Sequence, residues 1–350
     1  MSSLPLPKPN PPLQTFPNTP NQPSLNKPNI SPKSLSIDNP SSSKIQPIAI
    51  LANKFNLTKK IGKGGTSCVY LGHSHSDPST QYAFKIIKSP QSQNLQNEYT
   101  ILTSLSHNNI IKAYSYDENT SLYKPSKDTT STVSYLQLDY IVYGELFDFV
   151  YYPKKGFGEN FSKLITYKLC LALLHLYSNG FVHRDIKLEN IMVDIDYNIK
   201  LCDFGFGAQN DAKMNTHLGT AGYASPEVLG KQIYNGIAND IFSLGVTLFV
   251  LVTGSMPFRT VSTNDSFFRL ILLNKFDEFW LKRGIKVSYE FQCLFNSMVT
   301  FHPEQRLSIE EVLCSAWICE GNYSKENYDL LKVELSKRRE IVEMKKRKQE

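Results

Sequence analysis

The residues that could do chemistry are concentrated between His183 and Asn190, in the octapeptide H-R-D-I-K-L-E-N. Acidic, basic and amide side chains stand there within eight residues, between two apolar stretches. A plain connector seldom carries so many potential catalytic groups. A further acid follows shortly after, in the tripeptide that begins at Asp203. Taken singly, each of these residues has an ordinary explanation as a loop acid or a turn residue, so their order along the chain must decide.

These two motifs match the catalytic loop and the metal-binding turn of protein kinases. The chain resembles a eukaryotic protein kinase from about Phe55 to about Trp317. The resemblance implies transfer of the ATP γ-phosphoryl group to Ser or Thr hydroxyls of protein substrates, with Mg²⁺ as the metal ion. It also implies an α+β, two-lobed kinase fold. The small lobe would be an antiparallel sheet with one main helix, and the larger lobe would be mostly helical.

The resemblance gives the catalytic loop three residues that act directly. Asp185 is the candidate base for the substrate hydroxyl, Lys187 neutralises the transferring phosphoryl group, and Asn190 binds a metal ion. Asp203 corresponds to the carboxylate that ligates Mg²⁺ bridging the phosphates. Thr220 corresponds to the threonine that contacts the catalytic Asp and Lys in kinases acting on Ser/Thr. The lysine of the loop also favours Ser/Thr over Tyr specificity, because tyrosine kinases usually differ at this position.

The segment before the loop is expected to hold the nucleotide. A strand-like stretch beginning at Phe55 runs into a glycine cluster, which alone would more often be only a turn. In kinases this hairpin covers the phosphates, since glycine lets backbone N–H groups approach them. Ser67 stands where the family has its third glycine. The resemblance assigns these residues to the ATP site: Gly62, Gly64, Val69, Ala83, Lys85, Glu98, Asp139, Ile141, Glu145, Met192 and Asp203.

Two of these assignments depend on each other across the small lobe. A lone strand lysine is usually a solvated charge, but Lys85 has a potential partner in Glu98 within a helical stretch. An ion pair between them would direct the lysine head toward the phosphates.

Further along, residues 115–134 are polar, rich in Ser and Thr, and without periodicity. We interpret them as an enlarged loop between two strands, without chemistry.

After that segment, Tyr135 to Phe149 is typical of a strand that runs into the hinge. By resemblance, Leu138 is the gatekeeper, Asp139 to Ile141 form the backbone that meets adenine, and Glu145 is the acid near the ribose. Farther on, the resemblance predicts two supporting features in the large lobe, an ion pair between Glu227 and Arg306 and a contact of Asp240 with the catalytic loop. Ser225 replaces the family's usual Ala, a small-for-small change that should not disable the site.

Two further assignments concern regulation and specificity. Thr216 lies four residues before Thr220, where the family's activation-loop phosphosite falls. A phosphate placed there by an upstream kinase could pair with Arg184, although an unmodified exposed threonine is the alternative. Glu145 and Glu189 match acids that meet substrate Arg residues in basophilic kinases. We therefore expect basic residues two or three places before the acceptor.

Composition and charge limit the other classes of function. The two terminal segments, 1–54 and 332–350, each contribute +4 to the net charge of +6, which leaves −2 for the body. A body of that charge argues against a nucleic-acid surface. The six cysteines form no C-x-x-C pair, which suits reduced thiols in the cytoplasm or nucleus. The N-terminus lacks a secretory core, and no membrane segment is expected.

We divide the chain into three parts. Residues 1–54 are a Pro/Ser/Asn-rich tail that we predict to be disordered. Its P-x-x-P spacings could dock on an SH3-type groove, but composition favours a spacer. Residues 55–318 are the kinase domain, with the small lobe at 55–138, the hinge at 139–144 and the large lobe at 145–318. Residues 319–350 are a basic, helical tail, either binding calmodulin or an acidic surface or, as the pattern favours, solvated.

Two alternatives from other classes remain. A pseudokinase acting as a scaffold usually lacks the lysine, the catalytic Asp or the metal-binding Asp, and none is missing here. A binding adaptor would use the two tails and leave the body as a support. At subgroup level, K-L-E-N and D-F-G-F resemble the calmodulin-dependent and energy-sensing kinases.

Overall fold

The computed structural model describes residues 46–88, 93–211 and 213–348. The P-x-x-P spacings and most of the tail predicted to be disordered lie outside the described residues. The described residues form ten strands and eleven helices in two lobes, which confirms the predicted α+β kinase architecture. Order begins before Phe55, because strand β1 (Ala49–Leu51) packs the side chains of Ala49 and Leu51 into the small-lobe core.

The small lobe is an antiparallel sheet that curls around an apolar core. Its strands pair in the order β1, β2, β3, β4, β6, β5, and the short β1 also contacts β5. Alternating side chains on these strands bury Phe84, Ile86 and Tyr135. The strands after β1 are β2 (Phe55–Lys63), β3 (Ser67–Ser74), β4 (Gln81–Lys88), β5 (Ala113–Lys124) and β6 (Thr129–Asp139).

The prediction of a loop at residues 115–134 was wrong, because this segment is a β-hairpin. β5 and β6 pair along most of their length, and the turn between them is completed by Asp128 in the left-handed conformation at φ 47°. Threonine, tyrosine and valine favour extended backbone, and this strand preference outweighs the polar composition. The apolar side chains of Leu122 and Val133 are buried among polar neighbours, and they pack the hairpin against the small-lobe core.

Helix α1 (Gln93–Thr103) is the main helix of the small lobe, as predicted. It buries Leu95, Ile101 and Leu102 against the sheet, and Glu98 lies on its side facing the cleft. The Asn97 Nδ2 atom donates a hydrogen bond to the Gly207 carbonyl oxygen at 2.7 Å. This bond connects the helix to the segment that follows Asp203, so the small lobe and the metal-binding turn are held together.

The large lobe is mostly helical, with two small sheets at the cleft. β8 pairs with β9, and β7 pairs with β10. The strands are β7 (Phe181–Val182), β8 (Ile191–Val193), β9 (Ile199–Leu201) and β10 (Ala208–Gln209). The helices are α2 (Asp148–Tyr151), α3 (Gly158–Ser178), α4 (Pro226–Leu229), α5 (Gly236–Thr253), α6 (Ser266–Leu272), α7 (Phe276–Arg283), α8 (Tyr289–Val299), α9 (Ile309–Leu313), α10 (Ala316–Cys319) and α11 (Lys325–Arg347).

Helix α5 is the centre of the large lobe. Asn235 caps its first turn by accepting a hydrogen bond from the Ala238 N–H, and Gly254 ends it at φ 78°. The helix is apolar on all sides and long enough to cross a membrane, but 83% of it is buried inside the lobe. An all-apolar helix in that position is a core helix. It presents Asp240 beneath the catalytic loop.

Helix α11 differs from the solvated helix that its charge pattern favoured. The predicted helix is present, and it has charge pairs such as Glu334 with Arg338 at 2.7 Å. However, Leu331, Leu335, Arg338 and Val342 are all buried, at a spacing that places them on one face. The helix packs against the large lobe along that face.

Candidate active site

Asp185 is the centre of a closed set of hydrogen bonds. Lys187 Nζ donates to Asp185 Oδ2 at 2.7 Å, and the Thr220 hydroxyl donates to Asp185 Oδ1 at 2.8 Å. Lys187 also donates to Thr220 Oγ1 at 2.7 Å. The Asn190 amide donates to the Asp185 main-chain and side-chain oxygens at 2.7 and 2.9 Å. The structure thus brings four of the predicted residues together and fixes the direction of the carboxylate.

A second set of charges faces the same cleft from the small lobe. Lys85 Nζ lies 2.6 Å from Glu98 Oε2 and 2.7 Å from Asp203 Oδ1, which confirms the predicted ion pair. Burial opposes the charge on Lys85, but the two carboxylates outweigh it and raise the pKa of the lysine. Burial raises the pKa of Glu98. Partial burial also opposes the charge on Asp203, but the Lys85 ammonium outweighs it and lowers the pKa of that carboxyl. Lys85 therefore stays cationic at the mouth of the site.

The oxygen atoms around Asp203 fit a hard divalent cation. Asn190 uses its amide nitrogen on Asp185, so the amide oxygen is the atom that it can offer to a metal. The Asp203 side chain is 52% exposed and lines the cleft. Carboxylate and amide oxygens are the ligands that Mg²⁺ prefers. Asn190 and Asp203 would hold the ion, and it would neutralise phosphate charge there.

The turn at Asp203 explains why a glycine follows two residues later. Asp203 has a left-handed backbone at φ 58°, and its side chain accepts a hydrogen bond from the Gly205 N–H. A Cβ atom on Gly205 would lie 3.2 Å from Asp203 Oδ1 and 3.3 Å from Lys85 Nζ. Phe204 is fully buried between these residues. The glycine therefore keeps room for the ion pair.

A slot between the lobes has the shape and chemistry of an adenine site. It is a cavity of about 300 Å³ that continues into a more polar cavity of about 760 Å³ beside Lys85 and Asp185. Its walls are largely apolar, and the hinge backbone at residues 139–141 forms its inner edge. Predicted residues that line the slot are Gly62, Gly64, Val69, Ala83, Leu138, Asp139, Ile141, Glu145 and Met192.

The glycine hairpin forms the roof of both cavities. The Gly64 N–H donates to the Ser67 carbonyl at 2.8 Å and closes the turn. A Cβ on Gly64 would lie 2.9 Å from Ser67 Oγ, so a larger residue there would force the serine side chain to rotate. The departure from the family pattern at Ser67 thus leaves the turn intact, and Gly65 beside it has open space.

The catalytic loop is supported from below by Asp240, as predicted. Asp240 Oδ2 accepts from the His183 N–H at 2.8 Å, and Oδ1 accepts from the Arg184 N–H at 2.7 Å. Burial raises the pKa of Asp240 to about 7, although the two N–H groups act in the opposite direction. Arg184 has a left-handed backbone at φ 67°, and the two hydrogen bonds hold this strained geometry.

Arg184 also reaches the activation segment. Its Nη1 atom donates to the Thr216 hydroxyl at 2.6 Å, and its Nε atom donates to the Phe206 carbonyl at 2.6 Å. The Tyr234 hydroxyl donates to the Thr216 carbonyl at 2.8 Å. Thr216 itself is exposed. The side chain of this catalytic-loop residue therefore contacts both the segment after the metal-binding turn and the residue predicted to accept a phosphate.

The two acids assigned to substrate recognition lie near each other. Enclosure raises the pKa of Glu145, and the neighbouring Asp148 and Glu189 carboxylates raise it further. Enclosure likewise raises the pKa of Glu189, whose side chain bonds to Tyr223. Burial is the main cause of both pKa shifts, and the nearby Lys187 ammonium acts against them.

The ion pair beneath the activation segment was predicted from the sequence, but a hydrogen bond next to it was not. Arg306 binds both carboxylate oxygens of Glu227, at 2.6 and 2.8 Å, as predicted. Ser225, which replaces the usual alanine, donates its hydroxyl to Asn239 Oδ1 at 2.9 Å in a fully buried position. Two signals pointed to that bond, namely the unusual serine and an asparagine next to Asp240. Neither specifies a partner in the absence of a fold.

The Asp139 carboxylate was also missed, because the hinge was assigned through its backbone. Asp139 Oδ1 accepts from the Tyr114 hydroxyl at 2.7 Å, and Oδ2 accepts from the Lys112 N–H at 3.1 Å. The side chain thereby ties the hinge to the start of β5. No spacing rule along the chain would have indicated this contact.

Comparison with known proteins assigns the class. The family model described as protein kinase domain matches residues 55–318, and the chain belongs to this family. The relatives it resembles are serine/threonine kinases, so the protein is a protein serine/threonine kinase that acts on protein substrates. Members of the family generally use ATP and Mg²⁺.

The relatives place the chain near the calmodulin-dependent group, as its motifs predicted. A probable myosin light chain kinase of Dictyostelium discoideum is 33% identical over 289 residues, covering 77% of this chain and 85% of the relative. The calcium/calmodulin-dependent protein kinase type 1 of Caenorhabditis elegans is 31% identical over 302 residues, covering 83% and 82%. The serine/threonine-protein kinase chk-2 of the same organism is 29% identical over 301 residues, covering 81% and 60%.

Proposed function

We propose that this protein is an active, basophilic kinase that uses Mg-ATP through the site residues described above. The observation that carries the proposal is the Asp185 carboxylate, fixed by Lys187, Thr220 and Asn190 at hydrogen-bond distances and open to the cleft. The proposal places the kinase domain at residues 55–318, with the hinge at 139–144, and the protein inside the cell.

In this mechanism the chain mainly positions charges. Lys85 binds the α- and β-phosphates, because Glu98 and Asp203 hold its ammonium group at the cavity wall. Asp185 orients the substrate hydroxyl and accepts its proton late, since a carboxylate is a weak base for an alcohol. Lys187 bonds to Asp185 before substrate binds, and we infer that it turns to the phosphoryl group during transfer. Mg²⁺, when bound, supplies charge neutralisation at the phosphates.

The proposed preference for basic substrates is supported by the acids at the hinge exit. Burial raises the pKa of Glu145, and the Asp148 and Glu189 carboxylates raise it further, which describes a local negative potential beside Glu145. An arginine two or three residues before the acceptor would neutralise that potential. A peptide library with Mg-ATP tests this, and acidic or proline-directed selection would contradict it.

The matched variants for this test are Glu189→Gln and Glu290→Gln. The first removes an acid of the cluster without changing shape, and the second removes a first-turn glutamate of α8. We expect Glu189→Gln to raise the KM of a basic peptide about tenfold and to leave the KM of ATP unchanged. Glu290→Gln should match the wild type in both.

A pseudokinase is the second candidate function. A scaffold that binds nucleotide without turnover would keep the folded site and fail only in phosphate transfer. Transfer of phosphate from γ-labelled Mg-ATP to a generic basic peptide distinguishes an active kinase from such a scaffold, with the Asp185→Asn variant as the blank. Transfer no greater than that of the blank, from protein shown to bind Mg-ATP, would favour the scaffold.

The name of one relative points to calmodulin as a partner of the C-terminal segment. The arrangement of α11 sets a condition on such binding. The apolar side chains that an amphipathic target helix would offer, Leu331 and Leu335, are buried against the large lobe. Calmodulin binding would therefore require release of this helix.

A further inference from the structure

Three basic side chains of helix α11 contact one stretch of the large lobe, residues 143–157. That stretch begins at the hinge exit, carries Glu145 of the nucleotide slot, and ends where α3 begins. We propose that Arg338, assisted by Arg339, is a positioning residue for the nucleotide site. The inference rests on the proposed function, because it concerns how that site is held.

Arg338 is the main contact. Its Nη1 atom donates to the carbonyl oxygens of Phe149 and Lys155 at 2.9 and 2.6 Å, and its Nη2 atom donates to the Gly156 carbonyl at 2.8 Å. Glu334 accepts from Nε at 2.7 Å, and the guanidinium lies 3.9 Å from the centre of the Phe157 ring. A planar fork with several fixed donors is suited to this geometry, and a lysine is not.

The three carbonyls belong to backbone that has few other ways to satisfy them. Phe149 lies in α2, a helix of four residues, and the last carbonyls of any helix lack partners within it. Lys155 and Gly156 lie in the turn between α2 and α3. A buried carbonyl that loses its donor must move or find water. Loss of the guanidinium should therefore displace this turn together with α2.

Two further contacts hold the beginning of the stretch. The Arg339 guanidinium lies 4.6 Å from the centre of the Tyr143 ring and 6.0 Å from that of Tyr197. Lys346 Nζ lies 2.5 Å from Asp148 Oδ2, three residues after Glu145. The Tyr143 N–H donates to the Val193 carbonyl at 3.1 Å, on the strand that contains Met192. The helix thus contacts the ring of a residue whose own backbone is bonded to the strand at the floor of the adenine slot.

This placement predicts a particular kinetic signature. Asp185, Lys187 and Asp203 make no hydrogen bond to α11, so the transfer step should proceed once nucleotide is bound. Nucleotide binding should weaken, because the hinge exit and Glu145 lose a fixed support. A rise in the KM of ATP with little change in kcat is the expected result.

The test compares Arg338→Met, Arg338→Lys and Lys337→Met in the full chain. Methionine keeps an apolar stem over Phe157 without donors, and Lys337 is exposed on the other side of the helix. We expect Arg338→Met to raise the KM of ATP and the Kd of a fluorescent ATP analogue about tenfold, with kcat within about twofold. Arg338→Lys should lie between it and the wild type, and Lys337→Met should match the wild type.

Several outcomes would overturn the inference. A lower melting temperature with unchanged KM and Kd would make Arg338 merely structural, and a fall in KM would make α11 a restraint on activity. If Arg338→Met does not fold, Arg339→Ala decides, since its side chain is 28% exposed. A rise of about threefold in KM supports the inference, and no change contradicts it. A wild-type protein that binds no nucleotide would instead refute the proposed function.

Discussion

Two ion pairs of this kinase are built from the same chemistry and differ in where their charges point. Lys85 with Glu98 lies at the wall of the cleft, and Lys85 is shared with Asp203, whose side chain is 52% exposed. Arg306 with Glu227 is closed on all sides, with side-chain exposures of 1% and 6%. The open pair can still interact with a charged ligand, because Lys85 is shared between two carboxylates and Asp203 is half exposed. The bidentate, closed pair satisfies its own charges and stabilises the lobe.

A substitution in the open pair should strongly reduce activity and hardly change stability. We expect Asp203→Ala to lower phosphoryl transfer by about 10² to 10³-fold, because it removes the carboxylate proposed to hold the metal ion at the phosphates. The Lys85 to Glu98 contact stays in place, so the melting temperature should hardly change. Radiometric transfer and thermal unfolding measure the two effects.

Lys88→Met is the matched control for the open pair. Lys88 ends the same strand as Lys85 and has an exposed side chain. Its replacement should leave both transfer and melting temperature close to wild type. Near wild-type turnover in Asp203→Ala would show that the site is wrongly assigned.

The closed pair should show the opposite behaviour. Arg306→Met leaves Glu227 buried without a partner, which should lower the free energy of unfolding by about 3 to 5 kcal/mol. Activity per folded molecule should stay near wild type at low temperature. Urea unfolding with Arg269→Met as the exposed control measures the loss.

A double variant sharpens this comparison further. Adding Glu227→Met to Arg306→Met removes the orphaned charge, and we expect part of the lost stability to return. If the double variant is no more stable than Arg306→Met, the pair stabilises the lobe through packing and not through its charges.

Thr216 should give the smallest effect, since its contact with Arg184 already exists without phosphate. We expect Thr216→Ala or phosphatase treatment to lower turnover several-fold, because phosphate adds about −1.5 to −2 charges beside Arg184. Arg184→Ala should remove the difference between the two forms, and Thr260→Ala, at an exposed loop position, serves as control. Full activity without phosphate at Thr216, shown by mass spectrometry, would rule out the switch.

The sequence predicted the two lobes and both ion pairs for a physical reason. Phosphoryl transfer needs fixed residue types at fixed places, so the order of Lys85, Glu98, Asp185 and Asp203 carries the geometry with it. The hairpin at 115–134 was not predictable in this way. Its polar residues serve only as one face of a sheet, and strand pairing there depends on β1 and β4, which are remote in the chain.

The burial of one face of helix α11 was also not predictable from the sequence, but for a different reason. Charge pairs four residues apart, such as Glu334 with Arg338, are typical of a solvated helix. The burial of Arg338 depends on main-chain carbonyls, which have no sequence signature. The Asp139 and Ser225 side-chain contacts were missed for a related reason, because each partner is specified only by the fold.

The contacts of Arg338 also have a consequence for synthesis. The carbonyls that it satisfies belong to residues 189, 183 and 182 positions earlier in the chain. Translation adds about 5 to 20 residues per second, so these groups leave the ribosome roughly 10 to 40 seconds before their partner. During that interval the hinge exit and the turn before α3 lack the hydrogen bonds that Arg338 donates in the folded protein. In a nascent chain of this kinase, the carbonyls of Phe149, Lys155 and Gly156 therefore stay exposed to water, or to a chaperone, until Arg338 has left the ribosome.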